Sequence, residues 1–157
     1  MTIAIASDHG GYALRQHLRT LLEAEGQELV DMGCASEEPV DYPPYAFRVA
    51  EAVAGGEADV GILICGTGIG MSLCANRVPG VRAAVVGDTY SARMSREHND
   101  ANVLCLGGRT LGPDLAAEIV RVWLATPFSG GERHRRRLAM VAQREGGGTP
   151  CCPSSNG

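Results

Sequence analysis

Lysine is missing altogether: all 14 basic residues of this 157-residue chain are arginine. That excludes chemistry needing a lysine amine, including Schiff-base aldolases and pyridoxal-phosphate enzymes. It also excludes a P-loop NTPase, whose phosphate loop requires its lysine. Any phosphate site must therefore use arginine, histidine or backbone N–H groups. Aromatic residues are scarce, at 4%, so the core has to be built from Leu, Val, Ile and Ala. The six cysteines, at 34, 65, 74, 105, 151 and 152, show no C-x-x-C spacing. That speaks against a zinc site, and the expectation is no metal and no cofactor. No apolar run approaches the roughly 20 residues of a membrane helix. Met1–Ser7 carries no basic region of a signal peptide. A net charge of −4 argues against non-specific nucleic-acid binding. The reading is a cytoplasmic protein with reduced thiols that binds neither membrane nor nucleic acid.

What is present points to one domain. A chain of this size buries roughly 68–70% of its unfolded surface, enough for a core without staples. Short apolar runs alternate with amphipathic segments. Thr2–Ser7, Glu28–Met32, Val60–Cys65, Arg82–Val86 and Val103–Leu106 read as strands. Gly10–Glu25, Tyr45–Ala54, a stretch from the Gly66–Gly70 turn to about Asn76, Tyr90–His98, Asp114–Ala125 and Glu132–Glu145 read as helices. Gly33–Pro44 reads as a loop. This alternation predicts an α/β fold, a Rossmann-like three-layer α/β/α domain over residues 1–145 with a parallel sheet of about five strands. The Gly/Pro/Ser-rich segment 146–157 reads as a disordered tail. In such sheets ligands bind beyond the carboxyl ends of the strands. The residues there are Asp8-His9, Cys65-Gly66-Thr67, Asp88 and Gly107-Gly108-Arg109.

Four segments can carry chemistry. In Cys65-Gly66-Thr67-Gly68-Ile69-Gly70 a strand ends, a glycine turn follows and a helix begins. Free N–H groups of such a turn form an anion nest, and a thiol beside it is a candidate base or nucleophile. The alternatives are a buried strand cysteine next to a packing turn, or a dinucleotide-binding fingerprint with Asp88 as its ribose acid. The spacing is G-x-G-x-G, however, with Met71 where the last glycine of that fingerprint belongs. Asp8-His9 places a carboxylate and an imidazole at the first strand's mouth, suited to acid–base work or simply to capping a helix. His98 falls at a predicted helix end. Arg133 and Arg137 are i,i+4 neighbours, and two guanidiniums on one face suit a phosphate clamp as well as a solvated surface.

Seven blocks, in order from residue 2 to about 145, resemble the type B ribose-5-phosphate isomerases of the ribose/galactose isomerase family. They are Ala6–Tyr12, Asp41–Pro43, Ile64–Gly70, Ala75–Arg82, Ser95–Asn102, Gly107–Arg109 and Arg133–Arg137. The resemblance implies an aldose–ketose isomerase acting on D-ribose 5-phosphate and D-ribulose 5-phosphate through an enediolate. A six-carbon sugar phosphate, allose or galactose 6-phosphate, is the alternative within the family; a non-catalytic nucleotide- or phosphate-binding module lies outside it. The resemblance implies that Cys65 is the base moving a proton between C1 and C2. The N–H groups of Gly66, Gly68 and Gly70 then stabilise the enediolate oxygen, Thr67 and His98 assist ring opening, and Asp8 supports proton transfer. Tyr42 and Asn99 position the sugar, and His9, Arg109, Arg133 and Arg137 hold the phosphate. It implies a homodimer or dimer of dimers with shared active sites, and no metal. Some family members use a Glu base at the position of Met71, so Cys65 places this chain with the cysteine subgroup. Arg77 stands where the family often has lysine, in keeping with the total absence of that residue.

Overall fold

The computed structural model describes residues 1–145; the expected tail, with Cys151 and Cys152, lies outside the described residues. Five strands alternate with six helices: β1 Thr2–Ser7, α1 Tyr12–Ala24, β2 Glu28–Asp31, α2 Pro43–Ala54, β3 Val60–Cys65, α3 Ile69–Ala75, β4 Ala83–Val85, α4 Thr89–Glu97, β5 Val103–Gly107, α5 Pro113–Ala125 and α6 Glu132–Glu145. All pairings are parallel, in the order β2-β1-β3-β5-β4. The three-layer α/β/α expectation is met. Among the described residues no helix is long and apolar enough to cross a membrane.

Side chains of the central strands alternate between two cores, as the pleat requires. Ile3, Ile5, Ile62, Ile64, Leu104 and Leu106 face α1, α4 and α5, where Trp123 is fully buried. Ala4, Ala6, Leu63, Cys65, Val103 and Cys105 face α2 and α3. Small residues on this second side let α2 come close: a Cβ on Gly61 would meet Val49 Cγ1 at 2.6 Å. The helix after β1 and the helix after β3 thus lie on opposite faces of adjacent strands. That divergence opens a crevice at the carboxyl ends of β1 and β3, the switch point of a doubly wound sheet.

Element ends differ locally from the sequence reading. The helix expected from Gly10 begins at Tyr12, preceded by a 3-10 turn over His9–Gly11 whose Gly11 N–H donates to the Asp8 carboxylate at 3.2 Å. Helix α2 starts at Pro43, within the expected loop, because proline at the first helical turn gives up no hydrogen bond and its φ is already helical. Helix α4 closes at Glu97, leaving His98 as its cap.

Candidate active site

Cys65 ends β3 in the crevice and is 5% exposed. Its Sγ accepts the Gly68 N–H at 3.1 Å. That bond depends on Gly68 adopting φ +79°, a left-handed conformation that glycine takes without cost. A Cβ there would also stand 3.1 Å from the Leu106 backbone. The turn thus folds back onto the sulfur through Gly68 at the start of α3, where the helix dipole favours negative charge. Among the described residues the N–H groups of Gly66 and Gly70 find no acceptor, whereas Ile69 N–H donates to Thr67 Oγ1 at 3.3 Å.

Other predicted residues surround this turn. Gly10 approaches so closely that a Cβ on it would lie 3.1 Å from Gly66 N, which brings the Asp8–His9 segment against the nest. Asp8 is 6% exposed and caps the 3-10 turn, so its capping role and its place at the crevice coexist. His9 Nδ1 accepts the Val40 N–H at 3.2 Å, tying the 33–42 loop to this segment and leaving Nε2 as the nitrogen that can bind a ligand. Exposed Arg109 lies over Gly66, and the Tyr42 ring covers Gly70, where a Cβ would meet Tyr42 Cζ at 2.7 Å. Sequence reading missed Val40 and buried Arg15, which donates to Ser7 Oγ at 3.1 Å and to the Cys34 carbonyl at 2.6 Å and so anchors the same loop.

His98, Asn99, Arg133 and Arg137 gather elsewhere. Helix α4 runs antiparallel to the strands, so His98 at its end lies towards their amino ends, where Arg96 and Asp100 share a cleft with Met1 and Val60. Along β3, Val60 and Cys65 are separated by about 16 Å at ordinary strand rise. Within one chain, therefore, this cluster is not brought to Cys65. It is held firmly where it is. Asp100 takes φ +46°, and Arg82 stabilises that turn by donating to the Asp100 carbonyl at 2.8 Å and its carboxylate at 2.9 Å. Arg96 spans the Ala101 and Thr126 carbonyls and sits 5.1 Å over the Trp123 ring. His98 stacks on buried His134, with ring centroids 4.4 Å apart and planes 9° from parallel. Burial, and the neighbouring His98, Arg133 and Arg137, hold the His134 imidazole below the usual histidine range.

The remaining cysteines differ in character. Burial pushes the Cys105 thiol well above the ordinary range, so it behaves as a packing residue. Cys74 is also raised by burial, with Arg77 opposing. The dinucleotide reading loses its acid. Asp88 follows β4, which β5 separates from β3, and its carboxylate is engaged by the Ser91 N–H at 2.6 Å and hydroxyl at 2.8 Å as the cap of α4.

A thiol under a glycine-rich helix entry, with carboxylate, imidazole and guanidinium at the same switch point of a doubly wound α/β sheet, is an arrangement suited to acid–base chemistry on a small anionic ligand. The chain belongs to the ribose/galactose isomerase family, whose sequence profile matches residues 3–141. Ribose-5-phosphate isomerase B of Escherichia coli (strain K12) is 48% identical over 143 residues, covering 91% of this chain and 95% of that protein. The solved structure of Clostridium thermocellum ribose-5-phosphate isomerase B is 52% identical with a TM-score of 0.92, covering 94% of this chain and 99% of that one. The D-erythrulose-4-phosphate isomerase of Pectobacterium atrosepticum is 42% identical over 133 residues, covering 83% and 87%. The chain is thus an isomerase of this family.

Proposed function

We propose that the chain interconverts D-ribose 5-phosphate and D-ribulose 5-phosphate, a reaction of the pentose phosphate pathway, with Cys65 as the base. The observation that carries this reading is the placement of the Cys65 sulfur inside the glycine turn, with the Gly68 N–H on it at 3.1 Å. A proton alpha to a carbonyl is weakly acidic, so a base needs an oxyanion stabiliser beside it. One segment supplies both. The thiolate takes the C2 proton of the open-chain aldose, and the electron pair moves through C1–C2 to give an enediolate. The N–H groups of Gly66 and Gly70 bind the developing charge. Return of the proton from sulfur to C1, with the C2 hydroxyl giving its proton to O1 by way of Asp8, leaves the ketose. Because the sugar is mostly cyclic, the ring must open first, and an imidazole, with one nitrogen to give a proton and one to take it, suits that step, a role for His98 with Thr67. His9, Arg109, Arg133 and Arg137 hold the phosphate, and Tyr42 and Asn99 hold the sugar.

This scheme needs the His98 cluster beside Cys65, and the two lie at opposite ends of the sheet. A homodimer that sets one chain's cluster against its partner's crevice meets the need. Unpartnered apolar surface supports such an assembly: Ile69 (54% exposed) and Leu73 (61%) on α3, and Met140 (62%) and Val141 (54%) on α6. Between α6 and β4 an apolar groove of about 400 Å³ is lined by Leu138, Val141, Ala83 and Ala84.

Purified protein should form ketose from ribose 5-phosphate. Cys65→Ala should lower kcat by several orders of magnitude, on the order of 10³-fold or more, with unchanged thermal unfolding. An unchanged kcat in that variant refutes the base assignment. The substrate is set by kcat/KM across four-, five- and six-carbon sugar phosphates. A clear preference for the four-carbon compound, the sugar length in the name of the Pectobacterium relative, or for allose or galactose 6-phosphate would displace ribose 5-phosphate.

A further inference from the structure

His134 has no role in the scheme above, yet it touches both His98, placed at ring opening, and Arg133, placed on the phosphate. It is the buried residue of α6, at 8% exposure, in an otherwise exposed arginine-rich turn. Its ring face lies against His98, 4.4 Å away and nearly parallel. Its ring edge receives a hydrogen bond: Arg133 Nε donates to His134 Nε2 at 3.2 Å. An accepting Nε2 carries no proton, so the neutral ring is the Nδ1–H tautomer. We infer that His134 is a positioning residue that serves two functions through one imidazole, orienting the ring-opening His98 by stacking and aiming the phosphate-binding Arg133 through Nε2.

The geometry gives each contact a consequence. A guanidinium fixed at Nε has both Nη groups left to present as a fork, the arrangement that binds phosphate bidentately. An exposed arginine without such a tether loses more side-chain entropy when it engages the anion. The stacked ring removes rotational freedom from His98 at the end of α4, a helix end also joined to the approach to α6 by the Ser129 N–H on the Glu97 carbonyl at 3.0 Å. Burial first, and charge after it, keep the imidazole in this state. His98 on α4 and Arg133 and Arg137 on α6 face it as cations or potential cations, and of the surrounding groups Glu97 alone favours its protonation. A proton on Nε2 would turn the acceptor into a donor pointed at the Arg133 Nε–H, and the tether would break.

The inference rests on the roles proposed for His98 and Arg133, and two variants separate its halves. His134→Phe keeps a flat ring but offers no acceptor. It should weaken inorganic phosphate binding and raise KM about tenfold, the loss of a charge-assisted bond, with kcat within about threefold. His134→Gln keeps an acceptor but no ring. It should leave KM near wild type, lower kcat about tenfold, and alter the pH profile of kcat. Thermal unfolding of both variants guards against simple loss of fold. Nitrogen-15 NMR of the wild type should show unprotonated Nε2 and protonated Nδ1 on His134. A proton on Nε2, or two variants that change KM and kcat in the same proportion or change neither, overturns the inference. The NMR and phosphate-binding readings need no sugar. An inactive wild type that still passes them would sink the ribose 5-phosphate reading and leave the tether standing.

Discussion

Gly68 shows how much of the site rests on one residue without a side chain. Its left-handed backbone aims its N–H at the Cys65 sulfur, and a Cβ on it would stand 3.1 Å from the β5 backbone. Alanine at this position meets two obstacles: about 1–2 kcal/mol for the left-handed conformation, and a contact with main chain that cannot swing aside. Gly26 is a natural control, with φ +77° and open space for 4 Å around the point a Cβ would occupy, so Gly26→Ala meets only the first. Gly68→Ala should therefore be destabilised by about 2 kcal/mol or more in urea unfolding and lose at least about tenfold in kcat. Gly26→Ala should lose about 1 kcal/mol and keep its kcat. Equal activities in the two variants would mean that the turn's conformation contributes nothing to activity.

At the scale of elements, the capping residues decide where helices begin, and Asp88 offers a test by pH. Hydrogen bonds from the Ser91 backbone and hydroxyl hold the Asp88 carboxyl below the usual carboxylate range. A carboxyl lowered on folding contributes stability above its unfolded value, and the contribution disappears as pH falls through the folded value. The stability gap between wild type and Asp88→Ala should thus be present at neutral pH and close as pH falls below about 4. Asp88→Asn, which keeps an acceptor, should lack that pH dependence. A gap that persists at low pH would place the effect outside the carboxylate. Helix capping is local, and local features were the legible ones. The β/α alternation, the Cys65 turn at a strand end and the acid before the first helix could all be read from neighbouring residues. The rest depends on contacts between residues far apart in the chain. His98 meets His134, Tyr42 covers Gly70, and Arg82 holds Asp100 in its left-handed turn. The start of α2 is a different case: Pro43-Pro44 was a readable signal, and its turn-forming habit outweighed its place at a helix entry.

Strand polarity governs the whole molecule. In a parallel sheet every strand delivers its end to one edge and every returning helix delivers its end to the other. Cys65 and His98, a strand end and a helix end, are for that reason kept apart by the length of β3 in any single chain of this topology. A symmetric pair can reunite them twice, because a two-fold axis that sets one chain's His98 beside its partner's Cys65 also makes the reverse contact. This arrangement predicts complementation between inactive chains. Cys65→Ala and His98→Asn homodimers should each be nearly inactive. A mixed dimer, isolated through two different affinity tags, concentrates both substitutions in one site and leaves the other untouched. It should recover about half of the wild-type kcat per dimer, one working site of two. If the mixed dimer forms and stays as inactive as its parents, then Cys65 and His98 act within one chain. The sheet would then have to open or the α4 end relocate, and the shared-site reading would fall.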